Sequence, residues 1–321
     1  MEKIRQFYNR YRPLIAALLR KYYLRCKEQF NHYLPIIRDR FLCYLKLIRF
    51  DKPIGTFLLL WPALWALWIA AQGAPSLHLF LVFTLGVFFT RSAGVIINDF
   101  ADRKFDLKVE RTRDRPLTRG RVSTKEAFAV AAILLLTAFL LVLSTNKFTV
   151  YLSFCAVPLM AIYPYMKRHT YIPQFFLGLA FSWSIPMAFA AQTGSLPPIC
   201  WLLFIANILW VVIFDTIYAM VDREDDLKIG IKSTAILFAE SDRFIIGILQ
   251  LMLLAVFIII GMRIKLGFLY YGSLLMAAAI MIYHQILIKD RSPERCFRAF
   301  LHNSWLGAVV FAGISLNYLY N

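Results

Sequence analysis

The sequence predicts an all-α, polytopic membrane protein with nine transmembrane helices, and three observations carry that prediction. Of its 321 residues, 60% are hydrophobic and only 17% are charged, whereas apolar residues make up roughly half of a soluble globular chain. The apolar residues gather into nine long runs, and the basic residues are confined almost wholly to alternate loops between them. A helix rising 1.5 Å per residue needs about 20 residues to cross a ~30 Å hydrocarbon layer, and each run is near that length.

Taken in order, the first run covers 54 to 72, behind "RFDKP". The second, 79 to 97, closes on the polar stretch "NDFADRKFD". The third and fourth, 127 to 144 and 148 to 165, meet at a loop whose one basic residue is Lys147. The fifth covers 174 to 191, and the sixth, 199 to 221, contains Asp215 and runs into "VDREDD". The seventh and eighth, 244 to 261 and 267 to 288, flank Arg263 and Lys265, and the ninth, 300 to 320, ends in the uncharged "NYLYN".

The formal charge of +17 would suggest nucleic acid in a soluble chain, but here its distribution reports orientation. All Lys and Arg residues except Arg91, Lys147, Arg263 and Lys265 lie before the first run or in the loops after even-numbered runs. By the positive-inside rule those loops and the N-terminus face the cytoplasm. Residues 1 to 45 form a basic arm, rich in Tyr and Leu, that reads as a surface helix on anionic lipid. Residues 46 to 321 form the membrane domain. The expected location is a bacterial inner membrane, with a mitochondrial inner membrane as the alternative. The five cysteines show no CxxC pair and no metal-ligand spacing with histidine.

Acidic residues are scarce, yet Asp99, Asp102 and Asp106 follow the second run, and Asp222, Glu224, Asp225 and Asp226 follow the sixth. Both clusters therefore face one side of the membrane. Asp102/Asp106 and Asp222/Asp226 share an i, i+4 spacing. At 100° per residue Asn98, Asp102 and Asp106 span about 80°, with Asp99 about 20° beyond, so these side chains converge if the helix continues through the motif. Asp215, Asp222 and Asp226 fall within about 40°. Asp215 lies deep enough in its run to require a protein interior or a wet cavity.

Carboxylates crowded together repel and take up protons unless cations neutralise them. Oxygen-only donors suit a hard ion, and Mg²⁺ binds through one or two carboxylates together with substrate phosphates. The two carboxylate pairs, Asp102/Asp106 and Asp222/Asp226, with no His or Cys nearby, therefore imply a phosphate-bearing ligand held between them through metal. Arg103 and Lys104 sit inside the first motif, and Arg111, Arg113 and Arg115 follow it. Arg holds phosphate oxygens in a planar fork, so this loop suits a diphosphate. "KIGIKST" lacks GxxxxGK spacing and is no nucleotide loop, although Lys228 and Lys232 remain candidates for diphosphate contact.

"NDFADRKFD" and "YAMVDREDDLKIGIKSTAILF" together resemble the UbiA superfamily of membrane-embedded aromatic prenyltransferases. "RFDKPIGTFLLLWPALWALWIA", "YPYMKRHTYIPQFFLGLAFSWSIPMAFAA" and "RCFRAFLHNSWLGAVVFAGISL" look like its 4-hydroxybenzoate polyprenyltransferase branch, and the resemblance covers about residues 45 to 320. It implies nine helices around a lipid-open central cavity, Mg²⁺-bound polyprenyl diphosphate between the aspartate motifs with Asn98, Asp102, Asp106, Asp222 and Asp226 at the metal and diphosphate positions, and transfer of the polyprenyl chain to 4-hydroxybenzoate in ubiquinone synthesis. Phe100, Glu224 and Leu107 depart from the residues usual in the family, and Phe100 leaves open whether a phenol is needed there.

An allylic diphosphate leaves when cations stabilise its developing charge, so no Ser/His or Cys/His nucleophile is required. The acceptor's carboxylate calls for a cation, with Arg49 or Arg168 expected in that role. Arg91, inside the second run, either faces the cavity or snorkels to the interface. Tyr163, Tyr165, Trp183, Phe214 and Tyr218 are candidates for aromatic walls around a carbocation; Tyr218 stands about 40° from Asp222. A naphthoate or homogentisate acceptor is the rival within the same chemistry. A cation-coupled transporter is the rival class, and it would place acids at mid-membrane on several helices, where only Asp215 lies.

Overall fold

A computed structural model describes residues 1–107 and 112–320; within them the side chains of Cys26, Glu28, Gln29, His32, Lys104 and most residues before Arg20 are outside the description. The chain is helical throughout, with no strand among the described residues: α1 (Glu2–Leu47), α2 (Ile54–Ala71), α3 (Leu77–Asp106), α4 (Thr124–Leu143), α5 (Lys147–His169), α6 (Pro173–Ser182), α7 (Ser184–Thr193), α8 (Pro198–Ile229), α9 (Thr234–Phe238), α10 (Asp242–Arg263), α11 (Phe268–Leu287) and α12 (Pro293–Tyr320). Among the described residues nine helical segments are long and apolar enough to cross a membrane, one for each run in the sequence.

Two helices overrun their apolar stretches, and this positions the site. α3 continues through Asn98 to Asp106, and α8 continues through Asp222 and Asp226 to Ile229. Both aspartate motifs are therefore helical, as their i, i+4 spacing requires. Starts and stops follow side-chain chemistry. Ser76 and Asn146 cap α3 and α5, Ser123 and Glu126 form a reciprocal capping box on α4, and Gly230 ends α8 in the left-handed conformation at φ 74°.

The fifth run differs from expectation. It is two helices broken at Trp183, because Pro186 has no N–H to offer the Ser182 carbonyl four residues back. The break is used: the Trp183 indole N–H donates to the Leu152 carbonyl at 2.8 Å, and Asn207 donates to Ser182 Oγ at 2.9 Å.

The bundle closes on a tryptophan layer. The rings of Trp65 on α2 and Trp210 on α8 lie 5.2 Å apart, and Phe257 of α10 meets Trp65 edge-on at 5.4 Å. Each buried indole N–H is satisfied from α12: Trp65 donates to the Gly307 carbonyl at 3.0 Å and Trp210 to Asn303 Oδ1 at 3.2 Å. Gly307 is required by this contact, since a Cβ there would stand 2.5 Å from Trp61 and 2.6 Å from Trp210. The last turn of α1 docks separately, burying Cys43 and Leu47 against Ile96, Leu117 and Val122. The arm thus joins the bundle a few residues before position 46, while its described side chains from Arg20 to Leu42 are exposed.

Candidate active site

A cavity of about 1490 Å³ opens among α2, α3, α4, α5, α6, α7, α8 and α12. Its long walls are apolar, including Leu58, Phe83, Met160, Leu177 and Phe300. At one end its lining turns ionic, with Arg49, Asp51, Arg91, Asn98, Asp99, Arg115 and Asp215. Lining residues Leu136, Phe154, Val157 and Trp305 are also exposed on the outer, apolar surface, so the chamber communicates with the lipid-facing side.

The ionic end is built where the C-terminal turns of α3, α5 and α8 meet. Asp99, 1% exposed, is gripped by Arg49, whose Nη2 reaches its two oxygens at 2.9 and 3.0 Å, and by Arg115 Nη1 at 3.0 Å. Arg115 also donates to Asp106 Oδ2 at 2.6 Å. Arg49 adopts a left-handed backbone, φ 57°, just after α1 ends; a non-glycine residue there is a strain typical of functional positions. Burial pushes the Asp106 carboxyl above its ordinary range, with Asp102 and Asp99 adding to the rise while Arg115 and Thr112 oppose it.

Asp102 is 3% exposed and pairs with Lys167 of α5. Asn98 donates to the same Asp102 oxygen, Oδ2, at 3.1 Å, while Asp102 Oδ1 is buried with no hydrogen-bond partner. Lys167 also joins the two motifs. Its charge also acts on Asp215 of α8, which feels the like charge of Asp222 and has Gln174 as a hydrogen-bonding neighbour. The backbone tightens this junction, with Lys232 N donating to the Lys167 carbonyl at 2.9 Å and Thr234 N to Gln174 Oε1 at 3.0 Å. Asp222 and Asp226 are partly buried on the same end of α8.

Each carboxylate of α3 is held by a cation of the chain: Asp99 and Asp106 converge on Arg115 Nη1, and Asp102 turns to Lys167. Among the described residues no three His, Cys, Asp or Glu side chains form a group able to hold a metal by themselves. An ion bound here draws further oxygens from its ligand, which is how Mg²⁺ is held beside phosphates.

The remaining expected residues divide. Arg103 donates to Thr124 Oγ1 at 3.3 Å. Lys104 and Arg111 lie outside the described side chains. Lys228 is 71% exposed and pairs at 3.4 Å with Asp225, away from the cavity lining. Arg168 donates to the Ala101 carbonyl and lies over the rings of Phe105 and Tyr165 at 5.3 and 5.2 Å; it binds the end of α3 and does not line the cavity. Of the five aromatic candidates, Tyr163, Trp183, Phe214 and Tyr218 line the cavity, and Tyr165 does not. The Tyr218 ring lies 4.4 Å from that of Phe300.

Lys167 and Gln174 escaped the sequence reading. The signal for Lys167 was the pair "KR" ending the fourth run, but neighbours on a helix point about 100° apart. Spacing alone does not decide which of the two meets the aspartates.

Comparison with known proteins agrees with this architecture. Residues 59–307 match the model of the UbiA prenyltransferase family. A 4-hydroxybenzoate octaprenyltransferase of Aeromonas hydrophila subsp. hydrophila is 55% identical over 284 residues, covering 88% of this chain and 99% of that protein. The enzyme of the same name from Marinobacter nauticus is 55% identical over 282 residues, covering 88% and 96%. The apo structure of a UbiA homolog from Aeropyrum pernix K1 superposes with a TM-score of 0.73 at 25% identity, covering 82% of this chain and 98% of that one. A UbiA homolog from Archaeoglobus fulgidus bound to GPP and Mg²⁺ shares the fold with a TM-score of 0.64 at 19% identity, covering 85% and 99%. Matched by that family model over residues 59–307 and by relatives 55% identical across 88% of its length, the chain belongs to the UbiA prenyltransferase family.

Proposed function

We propose that the chain transfers a polyprenyl group from polyprenyl diphosphate to the ring carbon of 4-hydroxybenzoate meta to its carboxylate, releasing diphosphate, in ubiquinone biosynthesis. One observation carries this reading: a single cavity of about 1490 Å³ has long apolar walls and one ionic end, the shape a molecule with a hydrocarbon tail and a charged head requires. The names of the relatives supply the acceptor and make an octaprenyl donor the first to test.

The residues fit Mg²⁺. The donors are oxygen-only, and Asp102 Oδ1 is a buried carboxylate oxygen with no partner, a position that a cation would satisfy. Asn98, Asp102, Asp106, Asp222 and Asp226 would hold it. Bound there, Mg²⁺ would neutralise diphosphate oxygens and so ease departure of the leaving group. Arg115 and Lys167, already at the carboxylates, bind the diphosphate and stabilise charge as the allylic C–O bond breaks. Tyr163, Trp183, Phe214 and Tyr218 face the allylic cation with their ring quadrupoles and keep water away. The electron-rich ring attacks through the carbon beside its hydroxyl, forming the C–C bond as the allylic C–O bond breaks; the proton on that carbon passes to the departing diphosphate as aromaticity returns, and Asp215 accepts the hydrogen bond of the hydroxyl. Of the two arginines expected at the acceptor's carboxylate, Arg49 lines the cavity with its guanidinium shared with Asp99, and Arg168 is turned away.

We place the protein in the bacterial inner membrane with this site on the cytoplasmic side, supported by its bacterial relatives and by the basic loops at that end. The test is to incubate membranes containing the protein with Mg²⁺, 4-hydroxybenzoate and octaprenyl diphosphate and to look by mass spectrometry for ring-prenylated acid. Prenylation of a naphthoate or homogentisate with none of 4-hydroxybenzoate would overturn the acceptor, and uptake without covalent product would overturn the transferase.

A further inference from the structure

Outside the cavity lining, one ionic cluster is buried as deeply as Asp99. Asp242 opens α10 and is 0% exposed. It accepts from Arg291, whose Nε stands 3.1 and 3.0 Å from its two oxygens, from the guanidinium of Arg223 on α8, and from the backbone N–H of Arg243 at 2.6 Å. Arg291 also donates to the Glu240 carbonyl at 2.7 Å. The backbone bends to build this cluster: Ala239 and Arg291, neither a glycine, hold left-handed φ values of 46° and 54°, a strain that persists only where the surroundings fix the geometry. Arg291 and the N-terminus of α10 thus make Asp242 a fixed point. Arg223 is the group that reaches it from another spanning helix.

Arg223 directly follows Asp222, and on a helix that separates their directions. Asp215, Asp222 and Asp226 share the face of α8 that carries Asp215 into the cavity, whereas Arg223 stands about 80° from the middle of that face. Thr216, seven residues earlier, lies about 20° from Arg223 and about 10 Å back along the axis. It too is 0% exposed, and its hydroxyl stands 2.6 Å from that of Thr234. One face of α8 therefore aims carboxylates, and a second face is latched at two heights to the segment that joins α8 to α10. That segment is itself tied to α5 and α6, through Lys232 N to the Lys167 carbonyl and Thr234 N to Gln174. Two latches so far apart resist rotation of the helix about its axis. Side-chain oxygens sit about 5–6 Å from a helix axis, so a roll of about 10° moves them about 1 Å, a misplacement that can cost about a hundredfold in rate.

On the reading that the chain holds a metal-bound prenyl diphosphate between its aspartate motifs, we propose that Asp242, acting through Arg223, is a positioning residue for the second motif: it fixes the roll of α8 and so aims Asp222 and Asp226. Neither member of the pair lines the cavity. Arg223, although it lies inside the motif, is turned to α10 and serves Asp242 rather than the diphosphate.

The experiment measures three things on the purified full chain: calorimetric binding of octaprenyl S-thiolodiphosphate with Mg²⁺, a donor whose C–S bond resists cleavage; steady-state turnover; and thermal unfolding in detergent. Arg223→Gln leaves Asp242 paired with Arg291. It should weaken binding of the analogue roughly tenfold and lower kcat ten- to hundredfold, while the KM for 4-hydroxybenzoate stays within about twofold. Asp242→Asn should reproduce that pattern, and the double variant should be no worse than the poorer single one. Arg223→Lys keeps the charge but loses the planar fork, so its loss of analogue binding should be intermediate, about threefold; this variant decides the matter should Arg223→Gln not fold. A lowered unfolding midpoint with analogue binding and kcat unchanged in these variants would overturn the assignment and leave a structural ion pair. Losses that multiply in the double variant would overturn it too, since Arg223 would then act without Asp242. Arg223-dependent binding of the analogue with no prenylated acid from the unaltered protein would overturn the proposed reaction and leave the positioning role standing, and no binding by the unaltered protein would overturn both.

Discussion

Replacing Asp99 by Asn tests whether this residue sets the positions of Arg49 and Arg115. The carboxylate is 1% exposed and makes three contacts at 2.9 to 3.0 Å with two guanidinium groups. The Arg49 and Arg115 side chains are only 18% and 14% exposed, so solvent screening removes little of the interaction. An amide in place of the carboxylate keeps one acceptor but loses the charge. With about 1.5–3 kcal/mol for each hydrogen bond to a charged group, and one to two of them effectively lost, the cost is roughly 3 kcal/mol. That agrees with the ~3–5 kcal/mol for breaking one side of a buried ion pair. Thermal unfolding of the purified protein in detergent should show a fall of several degrees. A double-mutant cycle with Arg49→Gln should return a coupling energy of about 1 kcal/mol or more. Asp99→Glu should keep more stability than Asp99→Asn. An unchanged midpoint with zero coupling would refute the argument that Asp99 orders the two arginines.

Other outcomes follow from the same geometry. Asp102→Ala and Asp222→Ala should give almost no prenylated product in the mass-spectrometric assay while inserting normally. Gly307→Ala should lower thermal stability by about 1–3 kcal/mol through overpacking against Trp61 and Trp210, read by unfolding in detergent, with the KM for both substrates little changed. Arg115→Gln removes the main charge holding the Asp106 carboxyl down against burial. That carboxyl then stays protonated to higher pH, so Mg²⁺ activation should weaken more at pH 6 than at pH 8 when rates are measured across a Mg²⁺ titration. Deleting the arm up to Arg38 should spare turnover, whereas Leu47→Asp, which buries a charge against Ile96 and Leu117, should abolish stable expression.

Periodicity and charge made the nine spans readable because a membrane asks the same thing of every spanning helix, enough apolar length and satisfied backbone groups. The aspartate motifs were readable because i, i+4 spacing has one helical meaning, and α3 and α8 do continue through Asp106 and Asp226. What stayed hidden depends on rotation and reach. Lys167 and Arg168 are neighbours of similar charge, and only packing turns the first to Asp102 and the second to the Ala101 carbonyl. Arg91 read equally as cavity lining or as an interfacial residue, because the space opened by Gly55 belongs to a different helix. The break at Trp183 was signalled by Pro186, but an apolar count passes over proline.

The ion pairs at the mouth of the cavity carry a last implication about binding order. Asp99, Asp102 and Asp106 on α3 are matched by Arg49, Arg115 and Lys167, so this part of the site is neutral as it stands. A bare diphosphate entering would have to displace carboxylates from their cations and leave buried anions unpaired, at several kcal/mol each. A divalent ion alone would meet the opposite penalty, drawing carboxylates away and leaving guanidinium groups unmatched. Arriving together, the two exchange partners at nearly constant charge: carboxylates turn to the metal and the cations turn to phosphate. The arrangement therefore favours the metal–diphosphate pair over either component. Initial rates taken across a grid of both concentrations should follow that complex, and saturable binding of prenyl diphosphate at equal affinity with and without Mg²⁺ would refute the exchange.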